Sequence, residues 1–166
     1  MTETPEARLL ALCRDRAVTL ATAESCTGGM VAARLTRLAG SSDMFDRGIV
    51  TYSNAAKMQL LGVTAETLKR YGAVSEQVAV EMAEGLGARS EAALNVSITG
   101  IAGPGGSEHK PEGRVCFALA YGKGLDRPTR TETVEFGAIG RDQVREASTL
   151  HAMQLLIAGL KAAFHN

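Results

Sequence analysis

Short apolar runs separated by helix-like segments are the feature of this chain that most restricts its fold. Residues 17–23, 48–52 and 93–99 are apolar and contain many β-branched side chains, which predicts three buried strands. Two further runs, 114–121 and 129–136, are joined by a polar turn and predict a hairpin whose second strand is half-exposed. This order predicts a three-layer α/β/α fold with a mixed sheet.

Six other segments have the composition and spacing of helices. Ser53 or Asn54 is expected to cap the third of them and Gly62 to end it, and Ser75 is expected to cap the fifth. The stretch 100–113 is rich in Gly and Pro and predicts a long loop of the kind that binds ligands in α/β proteins. The predicted helices cover residues 5–15, 30–40, 53–62, 64–70, 75–88 and 141–164.

Length and composition indicate one domain, expected to cover residues 1–166. The chain has 166 residues, of which 45% are hydrophobic and 22% charged, a balance typical of a protein that builds its own core. The formal net charge is zero, so the chain lacks the basic excess that would indicate a nucleic-acid partner. Aromatic residues are 4% and Trp is absent, so base-stacking surfaces are not expected.

The cysteines and the amino terminus indicate where the protein is located. Cys13, Cys26 and Cys116 have the spacing of neither a metal site nor a disulfide framework. The first residues lack the pattern of a secretion signal, and no apolar run reaches the ~20 residues that cross a bilayer. We therefore expect a cytoplasmic protein without a membrane partner.

The sequence ESCTGG lies where the first strand ends and the next helix begins. A Ser25 hydroxyl at this place is expected to lie beside free N–H groups of the helix, which favour a phosphate or a developing oxyanion. Gly28 and Gly29 would let a ligand approach the backbone, so these residues, with Cys26 and Thr27, are candidates for substrate binding. The alternative is that Ser25 or Thr27 only caps the helix.

A nucleophilic serine needs a base, and Lys57 is the candidate. It lies just after the second strand, five residues beyond Tyr52, in the segment TYSNAAK. Burial disfavours the charged form of lysine, so a buried lysine beside a serine can take up its proton. His109, His151 and His165 lie in a loop, in the last helix and at the carboxyl terminus, not at a strand end. The alternatives are that Lys57 is a solvated surface residue and Tyr52 a core aromatic.

The third strand and the loop after it supply further candidates. Thr99 ends the strand, and Gly100 and Gly103 begin a series of close glycines whose N–H groups can form an anion-binding nest. Ser107 and Lys110 are candidates to assist in holding a phosphate. The alternative is a flexible turn, since glycine clusters are common in turns.

Two arginines begin the last predicted helix. Arg141 and Arg145 are one helical turn apart and are candidates for a clamp on a phosphate or carboxylate, although both could equally be solvated. The apolar content of residues 144–164 permits a homo-oligomer formed through this helix, and core packing explains that content as well.

Four segments, taken together and in this order, carry a resemblance to a known family. They are TxATAESCTGG, GIVTYSNAAK, GAVSE and SITGIAGPGG, and the similarity runs from about residue 8 to residue 160. With these segments the chain resembles the CinA carboxy-terminal domain family, also described as PncC-type nicotinamide-nucleotide amidohydrolases. Two-domain members carry an additional amino-terminal domain that resembles molybdopterin-binding proteins, so the resemblance is to the stand-alone form.

The resemblance implies hydrolysis of nicotinamide mononucleotide (NMN) to nicotinic acid mononucleotide and ammonia, in pyridine nucleotide recycling. It implies a three-layer fold with a mixed, mostly parallel five-stranded sheet, and a Ser–Lys mechanism without metal or other cofactor. Ser25 takes the place of the nucleophile and Lys57 that of the base, and Tyr52 is expected to assist. Thr99 takes a place that lines the site, and Arg141 is the first choice for the phosphate.

Two departures from the family pattern fall in the loop after the third strand. The segment GPGGSEHKPEG is one residue shorter than the common form, and Glu112 stands where an apolar residue is frequent. Two other functions stay open. One is a non-catalytic module that binds pyridine nucleotides or takes part in competence or DNA damage. The other is a phosphate-ester hydrolase, which the lack of an Asp/His metal cluster disfavours.

Overall fold

The computed structural model describes residues 2–107 and 109–164, and this part of the chain forms five strands and six α-helices. The strands are β1 (Leu20–Glu24), β2 (Phe45–Val50), β3 (Leu94–Gly100), β4 (Arg114–Tyr121) and β5 (Arg130–Glu135). The helices are α1 (Pro5–Arg16), α2 (Met30–Leu35), α3 (Asn54–Leu61), α4 (Ala65–Tyr71), α5 (Glu76–Gly87) and α6 (Arg141–Ala163). Among the sequence candidates, His165 lies outside the described residues.

The strands form one mixed sheet in the order β2-β1-β3-β4-β5. β1 is parallel to both β2 and β3, whereas β4 is antiparallel to β3 and β5 is antiparallel to β4. Four strands therefore run in one direction and only β4 runs against them. The predicted mixed, mostly parallel sheet is confirmed.

Helices cover both faces of this sheet, so the predicted three-layer α/β/α arrangement is confirmed. α1, α2 and α6 pack on one face, and α3, α4 and α5 lie on the other, where α5 contacts β1, β3 and β4. The side chains of β1 alternate between the two cores: Leu20 packs in the first, and Ala21 and Ala23 pack in the second. Within the described ranges, none of the helices combines the length and the apolar character that a bilayer span requires.

Several boundaries differ from the sequence prediction, among them the start of β1, which lies at Leu20 and not at residue 17. α2 ends at Leu35, before the predicted end near Gly40, and the Thr36 hydroxyl bonds back to the carbonyl oxygens of Ala32 and Ala33 at this point. β2 begins earlier than predicted, at Phe45, because hydrogen bonding to β1 defines a strand there in spite of the polar residues that follow.

The predicted caps of α3 and α5 are confirmed. The Ser53 hydroxyl accepts the Ala56 N–H and the Ser75 hydroxyl accepts the Val78 N–H, each satisfying a free donor of a first turn. Gly62 ends α3 in the left-handed conformation with φ of 72°. α3 therefore starts directly after β2, which places its first turn at the carboxyl edge of the sheet.

A close contact between α3 and α5 keeps α3 against the sheet. Gly85 of α5 lies beside the carbonyl of Leu61, the last residue of α3. A Cβ atom at position 85 would overlap the Leu61 carbonyl oxygen and would lie 2.8 Å from its carbonyl carbon. Only glycine allows the two backbones to approach this closely.

We expect Gly85→Ala to destabilise the protein by about 2 kcal/mol, because the overlap outweighs the gain in helix propensity of about 1 kcal/mol. Gly87→Ala is the matched control in the same helix, since its Cβ would lie 3.4 Å from the nearest atom and should be tolerated. Urea unfolding followed by circular dichroism measures both. A Gly85→Ala protein as stable as the Gly87→Ala protein would contradict the close-contact explanation.

Candidate active site

A cavity of about 320 Å³ lies at the carboxyl edge of the three parallel strands β1, β2 and β3. Parallel strands deliver the residues that follow them to one edge of a sheet, which is where α/β proteins place ligands. The start of α6 closes the cavity from the side. The lining residues are Ser25, Cys26, Tyr52, Asn54, Lys57, Ala73, Val74, residues 99–107 and Arg141.

Ser25 and Lys57 meet in the wall of this cavity. The Lys57 Nζ lies 3.0 Å from the Ser25 Oγ and also donates to the carbonyl oxygen of Thr51 at 3.0 Å. The Lys57 side chain is only 2% exposed, so the alternative of a solvated surface lysine is wrong. The separation expected from the sequence is present, and it is the geometry that a serine nucleophile and its base require.

Ser25 is held by the sheet and by a tight turn. Its N–H donates to the carbonyl oxygen of Ile98 in β3, and its own carbonyl oxygen accepts the Gly28 N–H. Gly28 and Gly29 have φ angles of 57° and 108°, which only glycine adopts without strain. The turn between β1 and α2 thus depends on both glycines, and the Ser25 hydroxyl projects from its first residue.

Glu24 is a functional candidate that the sequence reasoning missed. Its buried carboxylate accepts hydrogen bonds from the Thr27 hydroxyl at 2.7 Å and from the N–H groups of Val31 and Ala32 at 2.9 and 3.0 Å. The expected free N–H groups at the start of α2 are therefore in part occupied, and the cap is Glu24, not Ser25 or Thr27. A glutamate at the end of an otherwise apolar strand is the sequence signal that could have indicated a buried capping carboxylate.

Peptide geometry makes the Cys26 N–H a candidate oxyanion donor. The N–H and C=O of a trans peptide point in opposite directions, and the Ser25 carbonyl points into the turn toward Gly28. The Cys26 N–H accordingly points out of the turn, on the side of the Cys26 thiol. Cys26 lines the cavity, whereas Thr27, Gly28 and Gly29 do not, and the substrate contacts expected of those three residues stay a prediction.

Arg145 contacts the outside of the same turn. Its Nε donates to the Cys26 carbonyl oxygen at 3.1 Å and its Nη2 lies 3.4 Å from the Thr27 carbonyl oxygen. Arg145 is absent from the cavity lining. Arg141 and Arg145 therefore do not face the same space, because successive turns of α6 face two different segments of the chain, and the clamp stays a prediction.

Arg141 bridges two walls of the cavity at its rim. It donates from Nη1 to the Gly103 carbonyl oxygen at 2.5 Å and from Nη2 to the Tyr52 hydroxyl at 2.9 Å. Tyr52 is 60% exposed, so the alternative of a core aromatic is wrong. The predicted candidates Arg141, Tyr52 and Gly103 are thus brought together, at the open side of the cavity.

The end of β3 and the glycine-rich loop between β3 and β4, here called the glycine loop, form the remaining wall. Thr99, Gly100 and Ser107 line the cavity, and the Thr99 hydroxyl donates to the Ala73 carbonyl oxygen at 2.8 Å. Lys110 does not line it. Its Nζ donates to the carbonyl oxygens of Tyr71 at the end of α4 and of Val74 after it, and these bonds anchor the loop.

The Cys26 thiol is adjacent to Ser25 but is not prepared for attack. Burial raises the pKa of Cys26 to about 12, and the negative charge of Glu24 acts in the same direction against the opposing effects of Arg145 and Lys57. A thiol of this pKa stays protonated near neutral pH and is a poor nucleophile. Ser25 is therefore the better candidate at this turn.

Comparison with known proteins assigns the chain to a family. The model of the CinA C-terminal domain matches residues 2–160, and the chain belongs to the CinA C-terminal domain family. Nicotinamide-nucleotide amidohydrolase PncC of Escherichia coli K12 is 54% identical over 144 residues, which cover 86% of this chain and 85% of that protein.

Longer relatives share the same region. A competence-damage inducible protein of Acetivibrio thermocellus is 48% identical over 144 residues, which cover 86% of this chain but 33% of that protein. The chain thus spans about a third of the length of such relatives.

Solved structures agree in fold. The competence damage-inducible protein A of Klebsiella pneumoniae has a TM-score of 0.88 at 36% identity and 94% coverage of both chains. The competence/damage inducible protein CihA of Agrobacterium tumefaciens has a TM-score of 0.83 at 43% identity, covering 95% of this chain and 98% of that one.

We expect iodoacetamide to alkylate Cys26 very slowly in the native protein, because a pKa of about 12 leaves about one thiolate in ten thousand at pH 8. The rate should rise about tenfold per pH unit while the protein stays folded, with no plateau below about pH 11. Peptide mass spectrometry measures the labelling, and protein unfolded in guanidinium, where all three cysteines should react, is the control. Rapid native labelling of Cys26 at pH 8 would show an activated thiol instead.

Proposed function

We propose that this protein is an amidohydrolase that converts NMN to nicotinic acid mononucleotide and ammonia, with Ser25 as nucleophile and Lys57 as base. The observation that carries the proposal is the 3.0 Å separation of the Lys57 Nζ and the Ser25 Oγ in the cavity wall. The name of the E. coli relative, nicotinamide-nucleotide amidohydrolase, supports the choice of substrate. The proposal includes a single domain over residues 1–166 and a cytoplasmic location.

In the first step the Lys57 amine accepts the proton of the Ser25 hydroxyl as Oγ attacks the carboxamide carbon. Burial disfavours a charged amine, and the hydrogen bond to the Thr51 carbonyl oxygen helps to hold Nζ beside Ser25. The positive charge of the pyridinium ring withdraws electrons from the carboxamide, so a modest base is sufficient for attack.

The carbonyl oxygen becomes an oxyanion as the new bond forms. The Cys26 N–H is the donor best placed to stabilise it, since Cys26 lines the cavity next to the nucleophile. We choose this donor over the N–H groups of Thr27 to Gly29, because those residues do not line the cavity. Glu24 and Arg145 hold the turn from two sides and so fix the direction of this N–H.

In the second step the C–N bond breaks and the Lys57 ammonium gives its proton to the departing nitrogen, which leaves as ammonia. Water then attacks the acyl-enzyme while Lys57 takes a proton from it, and that proton returns to the Ser25 Oγ as nicotinic acid mononucleotide is released. The Tyr52 hydroxyl is bound by Arg141 at the rim, so we propose that Tyr52 assists by contacting the substrate.

Arg141 is proposed to hold the phosphate of the mononucleotide. Its guanidinium faces the cavity from the rim beside the glycine loop, opposite the deep position of Ser25 and Lys57. Guanidinium groups bind phosphate oxygens through two parallel hydrogen bonds. The carboxamide of NMN would thus lie deep in the cavity and its phosphate at the entrance.

A non-catalytic module that binds pyridine nucleotides is the second candidate, since a cavity of this kind also suits a sensor. Calorimetry and an ammonia assay on the same preparation separate the two: NMN binding without ammonia release identifies the sensor. Release of inorganic phosphate without ammonia would instead indicate the phosphate-ester hydrolase.

We expect Ser25→Ala to reduce kcat for ammonia release from NMN by about 10³-fold or more and Lys57→Met by about 10²-fold or more, because each removes one partner of the reacting pair. Exposed residues of the same types supply matched controls, Ser42→Ala and Lys69→Met, which should keep wild-type rates. A Ser25→Ala protein that retains more than about a tenth of the wild-type rate would refute the nucleophile assignment.

We expect Arg141→Ala to raise KM for NMN by about 10- to 100-fold, since it removes a charge-assisted contact to phosphate, with kcat changed much less. Arg130→Ala, an exposed arginine on β5, is the matched control and should leave both constants unchanged. Steady-state kinetics of ammonia release measure KM and kcat of both variants. A change confined to kcat would place Arg141 in the chemical step and not in phosphate binding.

A further inference from the structure

The side chain of Glu112 is built into the glycine loop whose other side lines the cavity. Its Oε1 accepts the Gly105 N–H at 2.8 Å. A Cβ atom on Gly103 would overlap this oxygen and would lie 2.5 and 2.6 Å from Cδ and Cγ of Glu112, so the side chain lies directly against the Gly103 backbone. Gly103 and Gly105 line the cavity, and Glu112 does not.

Glu112 and Arg141 contact the same residue from different sides. The carboxylate lies where a side chain of residue 103 would begin, and the Arg141 Nη1 donates to the Gly103 carbonyl oxygen. A negative charge is therefore fixed one residue away from the cation at the rim. The Gly105 N–H, which could otherwise serve an anionic ligand, already has an anionic acceptor.

We propose that Glu112 is a specificity-determining residue: its fixed negative charge weakens the binding of a phosphate monoester at the rim and thereby favours nicotinamide ligands of lower negative charge. The inference rests on the proposed function, since it concerns the ligand of the same cavity. Repulsion between the carboxylate and the phosphate acts across the loop, where the partial exposure of Glu112 leaves it sensitive to salt.

Two substitutions separate the charge of Glu112 from its hydrogen bond. Glu112→Gln keeps the acceptor oxygen and the shape of the side chain and removes only the charge. Glu112→Met removes the acceptor as well, and a loop loosened in this way should affect every ligand of the cavity alike. The ratio of the dissociation constants of nicotinamide riboside and NMN therefore reports the charge alone, because the two ligands differ by the phosphate.

The test is calorimetric titration with NMN and with nicotinamide riboside, in a Ser25→Ala background so that neither ligand is consumed. Glu91→Gln is the matched control, an exposed glutamate at the opposite edge of the sheet whose loss changes the net charge equally. We expect Glu112→Gln to tighten NMN binding by about three- to tenfold at about 50 mM salt, with riboside binding changed less than about twofold. The gain should shrink at about 500 mM salt, and Glu112→Met should raise the same ratio.

A change in NMN affinity below about twofold, or an equal change for both ligands, would overturn the inference. So would an equal gain in Glu91→Gln, or the absence of binding by both ligands. If the riboside binds too weakly to titrate, the inference is tested by the change in NMN affinity in Glu112→Gln and by its dependence on salt. Failure of the proposed function gives a different result: wild-type protein would bind NMN with the expected dependence on residue 112 and release no ammonia.

Discussion

The buried contact between Lys57 and Ser25 is the constraint on which the site depends. A lysine that is 2% exposed must be supplied with polar partners, and the Ser25 hydroxyl and the Thr51 carbonyl both face its Nζ. α3 has to start directly after β2 and stay pressed on α5 for the side chain to reach this place, which the Ser53 cap and the Gly85 contact ensure. The packing of α3 is thereby a condition for the contact between Lys57 and Ser25.

The turn that carries the nucleophile is held by opposite charges on its two sides. Glu24 takes the N–H groups of α2 on one side, and Arg145 of α6 takes the Cys26 carbonyl on the other. Neither side chain lines the cavity, yet both hold the turn that carries the Cys26 N–H, the oxyanion donor that we propose. A fixed donor of this kind stabilises a developing charge without having to reorganise during the reaction.

The entrance of the cavity is built from three chain segments that are distant in sequence. Arg141 of α6 connects Tyr52 after β2 with Gly103 after β3, and Glu112 supports the same loop from behind. In the proposed binding mode the deep part of the cavity holds the amide, and the entrance contacts the charged phosphate of the ligand. Because the entrance is more exposed than the floor, charge changes there should act on affinity more than on the reaction itself.

The sequence by itself determined the order of the elements, the caps of α3 and α5, and the pair of segments that carry Ser25 and Lys57. Hydrophobic periodicity, cap residues and turn residues act over a few positions of the chain, and the carboxyl ends of parallel strands meet at one edge of the sheet. These features can therefore be predicted from short stretches of sequence. Only the tertiary structure decided the partners of long side chains. Arg145 and Lys110 were expected at a phosphate, but each binds backbone carbonyls, because a flexible cation takes whichever buried acceptors the packing of distant segments brings within reach.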